Sequence, residues 1–243
     1  MNRFWTIAIM TFAALVSSAQ TRKVQNKPYI DLRPMHFGIS LGLNLQDAEL
    51  VNVGPQLMED GTMRTIACDV DTWNPGFSVG VVGDMRLSDN FNLRISPAMH
   101  FGSKRLTFAD YDNLNEAELP TFSTQDLKNA YISLPVDLKI SAPRFNNYRP
   151  YVLGGISPMV NLAGKDQEYV ALKKFDMMVN VGMGCDFYLP FFKLIPEIRF
   201  CYGLMNTLDK THVSDLTDVK KIPFTNCVND CRTKMFVFTL YFE

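Results

Sequence analysis

Residues 175–189, FDMMVNVGMGCDFYL, decide how the rest of the chain is read. Phe175, Met177, Val179, Val181, Met183, Cys185 and Phe187 take every second position, while Asp176, Asn180, Gly182, Gly184 and Asp186 fill positions between them. Successive side chains of a strand point to opposite faces, so the stretch predicts a long strand with one apolar face and one polar face. A strand crossing a membrane as part of a barrel has this pattern: apolar toward lipid and polar toward the lumen, for about ten residues at a time.

The same alternation recurs on both sides. Toward the C-terminus, Leu194, Ile198, Phe200, Tyr202 and Leu204 oppose Glu197, Arg199 and Gly203, and Phe236, Phe238, Leu240 and Phe242 alternate with Val237, Thr239 and Tyr241. Toward the N-terminus, the run at 151–162 is the least regular, because Gly154, Gly155 and Pro158 blur it; Val152, Ile156, Val160 and Leu162 mark its apolar face. Ahead of it, Ile132, Leu134, Val136, Leu138 and Ile140 oppose Tyr131, Ser133, Asp137 and Lys139. Phe91, Leu93, Ile95, Met99 and Phe101 oppose Asn92, Arg94, Ser96 and His100, with Pro97 on the apolar face. Phe77, Val79, Val81, Met85 and Leu87 oppose Ser78, Gly80, Asp84 and Arg86, and Ser88-Asp89-Asn90 turns this run into the next as a hairpin. The first run sets Phe37, Ile39, Leu41 and Leu43 against His36, Gly38, Ser40, Gly42 and Asn44.

Eight such runs hold nine charged residues: Asp84, Arg86, Arg94, Asp137, Lys139, Asp176, Asp186, Glu197 and Arg199. All nine sit opposite the apolar stripe. A Lys or Arg facing lipid at the midplane costs roughly 2–4 kcal/mol, so a membrane barrel keeps charge off that face. A soluble sandwich or a lipocalin-like barrel would alternate in the same way, and the connections separate the readings. Long connections near 46–74, 102–129, 163–174 and 205–234 alternate with short ones at 88–90, 141–149 and 189–193. Short turns at one end, long loops at the other and an even strand number fit the up-and-down plan of an outer-membrane barrel. The predicted fold is therefore all-β: an eight-stranded antiparallel up-and-down transmembrane β-barrel over residues 35–243, with periplasmic termini. Trp73, Phe77, Phe91, Tyr151, Phe187, Tyr188, Phe191 and Phe192, near run ends, are expected in interfacial girdles, and Phe242 suits a barrel-assembly signal.

Composition agrees with this reading. The 243 residues carry 24 Lys and Arg against 25 Asp and Glu and are 47% hydrophobic, which argues against a basic nucleic-acid binder and an acidic disordered chain. Asn2 and Arg3, the apolar stretch Phe4–Val16 and the small residues Ser17-Ser18-Ala19 read as a signal peptide over 1–19. Beyond it no run of 18 apolar residues predicts a transmembrane helix. Residues 20–34, with Arg22, Lys23, Lys27 and Arg33 against Asp31, read as a periplasmic lead-in, solvated or touching a partner.

Chemistry-bearing groups are sparse. His36, His100 and His212 are the three histidines, expected at the periplasmic end of the first strand, high in the third and in the last loop. No Ser/His/acid set is legible, so no catalytic residue is assigned and the protein is expected not to be an enzyme. Gly182-Met183-Gly184 and Gly154-Gly155 do not open a helix after a strand and are not read as phosphate loops; no cofactor is predicted. The lumenal charges read as an interior ionic network, since a barrel of eight strands can be filled by its own side chains. Of five cysteines, Cys185 is expected to face lipid and Cys201 the lumen. Cys68, Cys227 and Cys231 share the loop end, where an oxidising compartment permits a disulfide of open pairing. The Cys-x3-Cys spacing lacks a second ligand pair, so no metal is predicted.

Taken together, YISLPVDLKIS at 131–141, APRFNNYRPYVLGG at 142–155, FDMMVNVGMGCDFYL at 175–189 and the closing MFVFTLYF at 235–242 resemble the PorT family of outer-membrane β-barrels, over nearly the whole mature chain. The most specific part is the strand, the Arg-Phe-Asn-Asn-Tyr-Arg-Pro turn and the Gly-Gly strand in succession. The resemblance implies an accessory or structural component of the type IX secretion system, needed for moving proteins with C-terminal sorting domains to the cell surface. Its partners would be other membrane proteins of that system and outer-membrane lipid, with no nucleic acid and no small-molecule substrate. It brings no catalytic residues to transfer. The alternative is a generic small barrel with a structural, adhesive or small-ligand-binding role.

Overall fold

The computed structural model of the chain describes residues 24–57, 61–114, 120–162, 169–209 and 222–243. The proposed signal peptide, His212 and the Trp73 side chain lie outside them. The described residues form twelve strands, β1 (Met35–Asn52), β2 (Pro55–Leu57), β3 (Met63–Trp73), β4 (Pro75–Arg86), β5 (Phe91–Ile95), β6 (Ala98–Leu114), β7 (Pro120–Ser133), β8 (Val136–Ser141), β9 (Tyr148–Asn161), β10 (Phe175–Tyr188), β11 (Lys193–Gly203) and β12 (Val228–Phe242), with a 3-10 turn at Ile30–Leu32 and a short α-helix, α1 (Ile222–Asn226).

The twelve strands make an eight-membered ring. β3 and β4 form one stave broken only at Asn74, β5 and β6 one broken at Ser96-Pro97, and β7 and β8 one broken at Leu134-Pro135. Every pairing in the ring is antiparallel, from β1 on β4 round to β9 on β10, β10 on β11, β11 on β12 and β12 back on β1. β2 merely extends the edge of β3. Proline explains two of the breaks, because it has no N–H for the ladder while its carbonyl still accepts. Ser96 N–H donates to the Pro135 carbonyl (3.2 Å) and Leu134 N–H to the Pro158 carbonyl (3.0 Å), so the interruptions run diagonally across three neighbouring staves without opening the sheet. Gly155 lies in the same region because a Cβ there would meet the Val136 carbonyl oxygen of the adjacent stave.

The alternation read from the sequence is realised face by face. Phe37, Ile39, Leu41 and Leu43 on β1, Val152, Ile156 and Val160 on β9, and Val181 and Met183 on β10 are exposed on the outer wall. Their neighbours Ser40, Asn44, Ser157, Asn161 and Asn180 are buried in the lumen. Along β1 the outer stripe stays apolar from Met35 to Leu45. Ten residue steps at about 3.3 Å, tilted by about 40°, give a belt about 25 Å tall, the height of the apolar band of an outer-membrane barrel. Above the belt the outward positions become charged: Glu49 on β1, Asp69 and Asp71 on β3, Arg105 on β6, Asp126 and Lys128 on β7, and Lys234 on β12. Two cross-strand pairs, Lys234–Glu49 and Arg105–Asp126, both 2.8 Å, lie on this collar.

Three expectations are corrected. The segments 46–74 and 102–129, read as long loops, are largely strand, and the one at 205–234 ends in strand: β1 runs on to Asn52, β3 covers 63–73, β6 and β7 form one hairpin to 114 and from 120, and β12 starts at Val228. Above the bilayer a strand no longer needs an apolar outer face, so the period-2 signal fades while the ladder continues. Tyr151 and Tyr188 are not girdle residues; they are 4% and 1% exposed and point into the lumen, because the phase of the strand, not nearness to its end, selects the face. Phe77, Phe91, Phe187, Phe191 and Phe192 do lie exposed on the outer wall or in turns. The lead-in from Val24 is not free: Asn26, Lys27 and Asp31 bond to Asn147, Phe191, Arg144 and Tyr188 across the short-turn end.

If the belt faces lipid, Val181→Arg at mid-height should cost about 2–4 kcal/mol and Thr124→Arg, exposed above the collar, about 0–1 kcal/mol. Reversible folding into lipid vesicles, followed by the heat-dependent shift in gel mobility, would measure both, and equal costs would contradict the placement.

Candidate functional site

The lumen is the place where the chain concentrates its chemistry. Near the short-turn end three cations are each shared between two acids. Arg94 on β5 meets Asp84 on the neighbouring β4 (2.7 Å) and Glu197 on β11 across the barrel (2.8 Å). Lys139 on β8 donates to both oxygens of Asp186 (2.9 Å each) and lies 3.4 Å from Asp84. Arg199 on β11 meets Glu197 (2.8 Å) and Asp137 (3.0 Å). All seven of these side chains are buried.

Tyrosines tie the cluster together. Tyr151 O–H donates to Glu197 (2.6 Å) and accepts from Arg94 (3.1 Å), and Tyr241 O–H donates to Glu197 (3.1 Å). The Lys139 ammonium lies 4.1 Å from the centre of the Tyr151 ring, and the Arg94 guanidinium 5.1 Å from both the Tyr151 and Tyr241 rings. Gly184 makes room for this arrangement, since a Cβ there would overlap the Tyr151 hydroxyl. Below the cluster Lys193 pairs with Glu243 and approaches Asp186 (3.9 Å). The lead-in then closes that end, with Tyr188 O–H on Asp31 (2.6 Å) and the Arg144 guanidinium 3.6 Å from the Tyr188 ring centre.

Above the charges lies a hydroxyl-rich layer. His100 on β6 bonds Ser78 through Nδ1 (2.7 Å) and Ser133 through Nε2 (2.9 Å). It borders a cavity of about 30 Å³ that Ser40, Ser96 and Ser157 also line, space for roughly two water molecules. Higher still, Ile66, Leu106, Phe108, Leu127, Val170, Leu208, Cys68, Cys227, Val228 and Cys231 form an apolar core inside the loop end. Phe108, Tyr169 and Phe224 of α1 pack edge-on and tilted against one another as a lid, with ring centres 5.3–5.7 Å apart. Two side-chain amides bridge where the staves part. Asn52 on β1 pairs both ways with the Cys68 backbone (2.8 and 3.1 Å), and Gln125 on β7 pairs both ways with the Val170 backbone (3.0 and 3.4 Å).

The residues read as lumenal from the sequence fall into three groups. Asp84, Arg94, Asp137, Lys139, Asp186, Glu197 and Arg199 assemble as one network. Arg86 stays at the rim and pairs with Asp89. Asp176 is buried apart from the network, accepting from the Met177 N–H (2.7 Å). Sequence reading missed Lys193, Glu243, Tyr151 and the fully buried Lys104, which faces the Tyr131 ring at 5.8 Å. Lys104 was missed because its segment was read as loop; its even phase after His100 and Gly102 was the available signal. His36 is a buried lumenal residue at the short-turn end. Cys185 is half-buried on the outer-facing phase of β10 and Cys201 is buried in the lumen. Among the described residues no group of three His, Cys, Asp or Glu is placed to hold a metal ion, and His100 has serines, not an acid, on both ring nitrogens.

Residues 18–209 match the family described as Outer membrane protein beta-barrel domain, and the chain belongs to that family. It is thus an outer-membrane β-barrel protein. Solved structures similar to it include the outer membrane protein OprG from Pseudomonas aeruginosa (13% identity, 90% of this chain and 97% of that one, TM-score 0.44). Others are Neisserial surface protein A (12%, 86% and 98%, TM-score 0.41) and Ail, the attachment invasion locus protein of Yersinia pestis (11%, 86% and 98%, TM-score 0.34). No curated protein matches the sequence.

Breaking one member of a buried ion cluster strands its partners without counter-charge, at a cost of about 3–5 kcal/mol. Arg94→Met should therefore lower the unfolding temperature of the heat-modifiable barrel markedly, whereas Arg86→Met, whose partner is exposed at the rim, should change it little. Asp31→Ala, which removes the carboxylate held by Tyr188 and faced by Arg144, should expose the lead-in to protease while the barrel stays resistant.

Proposed function

We propose that this barrel is a non-enzymatic outer-membrane component of the type IX secretion system, needed for export of proteins with C-terminal sorting domains to the cell surface. The likeness of residues 131–155, 175–189 and 235–242 to the PorT family supports the assignment. The observation that decides how such a protein would act is the filled lumen. Arg94, Lys139, Arg199 and their acids block it from wall to wall, so cargo cannot pass through this chain, and an eight-stranded barrel is too narrow for a folded protein in any case. The chain would work by contact, presenting its short turns and lead-in to the periplasm, its collar and lid outward, and its belt to lipid and to neighbouring membrane proteins of the secretion system.

The second reading is a generic small barrel with a structural, adhesive or small-ligand-binding role. The hairpin of β6 and β7, which stands above the belt, is the feature that favours it. Deleting the gene and comparing surface, periplasmic and secreted proteins separates the two. Under the secretion reading, proteins bearing C-terminal sorting domains accumulate in the periplasm and return to the surface on complementation. Unchanged export with an intact barrel would overturn it.

A further inference from the structure

The loop end carries three of the five cysteines, and the fold does not treat them alike. Cys68 on β3 and Cys227, just ahead of β12, both lie inside the apolar core, 1% and 0% exposed. They flank the end of β1 from two sides. The Asn52 side chain pairs with the Cys68 backbone, and the next residue, Val53, donates its N–H to the Cys227 carbonyl (2.8 Å). Both cysteines belong to the same buried cluster, where the Cys227 thiol donates to the Phe224 carbonyl (2.9 Å). Cys231 takes a different place: it sits opposite Leu50 in the β1–β12 ladder, and its backbone is held by Asn206 and Thr207.

Geometry then selects among the three possible bridges. Cys227 closes the turn after α1, and from Val228 to Cys231 the chain is strand, three steps or about 10 Å, whereas a disulfide needs Cα atoms within about 7 Å. Of the remaining two, Cys68 and Cys227 are the pair held at the end of β1 by successive residues, Asn52 and Val53, whereas Cys231 lies opposite Leu50. We infer that Cys68 and Cys227 form a disulfide that staples the first outer segment to the last, locking the lid of Phe108, Tyr169 and Phe224 over the lumen, and that Cys231 stays a thiol.

The bridge forms by exchange with an oxidised protein dithiol carrier of the oxidising compartment. One cysteine thiolate attacks the carrier disulfide to give a mixed disulfide, and the second displaces the carrier. The carrier leaves with both electrons as a dithiol or dithiolate, and the two protons go to it or to water. The order of events follows from burial. Cys68 and Cys227 are 1% and 0% exposed, out of reach of a protein carrier once the loop end has closed. Oxidation therefore precedes closure of the loop end, while the outer segments are still accessible in the periplasm.

Thiol counting on the full chain tests the pairing. The protein is taken from outer membranes with acid quenching, denatured in detergent and treated with a polymer-linked maleimide, each labelled cysteine giving one step of gel shift. Three labels without reductant (Cys185, Cys201, Cys231) and five after reduction are expected, and a non-reducing digest should join the Cys68 and Cys227 peptides. Cys231→Ser should leave the bridge in place and lower the unreduced count to two, while Cys227→Ser should raise it to four. Five labels without reductant, or a linked pair that includes Cys231, would overturn the inference.

Discussion

Everything in this structure depends on one constraint: a charge in the apolar layer of a membrane must face inward and find a partner there. The chain satisfies it with seven charged side chains that interlock as Asp84–Arg94–Glu197–Arg199–Asp137 and Asp84–Lys139–Asp186. Five neighbouring or facing staves contribute to a single knot, so the network ties β4, β5 and β8 on one side to β10 and β11 on the other. Its members come from residues up to 115 positions apart, Asp84 to Arg199, linked through Arg94 and Glu197. Tyr151 and Tyr241 supply the neutral donors and ring faces that let the charges share a small volume.

The arrangement also divides the barrel into layers with different jobs. The lead-in and Lys193–Glu243 close the short-turn end, the ionic knot fills the interior above them, hydroxyls around His100 border a cavity of about 30 Å³, and an apolar core with an aromatic lid seals the top. Such a filled cylinder has walls and ends to offer, not a passage. Its belt is suited to lipid and to other membrane proteins, and its collar of paired charges marks where the bilayer stops.

Much of this was legible in the sequence, for a physical reason. Within the membrane-spanning height the solvent is lipid, so the outer face tolerates no charge and the period-2 pattern is nearly free of exceptions; the nine charges read there all take the inner phase, eight of them buried in the lumen. Above the belt that selection disappears. Asp69, Arg105 and Lys234 alternate with Cys68, Lys104 and Thr233, and without the apolar stripe the segments looked like loops although the ladder continues. The side-chain amides of Asn52 and Gln125, which substitute for a missing stretch of ladder, leave no periodic trace. Nor do Lys193 and Glu243, which meet only because β11 lies beside β12. Tyr151 shows the opposite case: its phase was readable, and its aromatic character pointed to the wrong face.

The ionic knot and the apolar core close this outer-membrane barrel along its length, and the proposed function rests on that closure. The most direct test is electrical: the purified, folded full chain inserted in planar lipid bilayers, with insertion confirmed by heat-modifiable mobility of the recovered protein. A filled lumen predicts no steady ion-conducting openings above the bare bilayer. Reproducible ohmic openings of uniform size from the folded protein would contradict it.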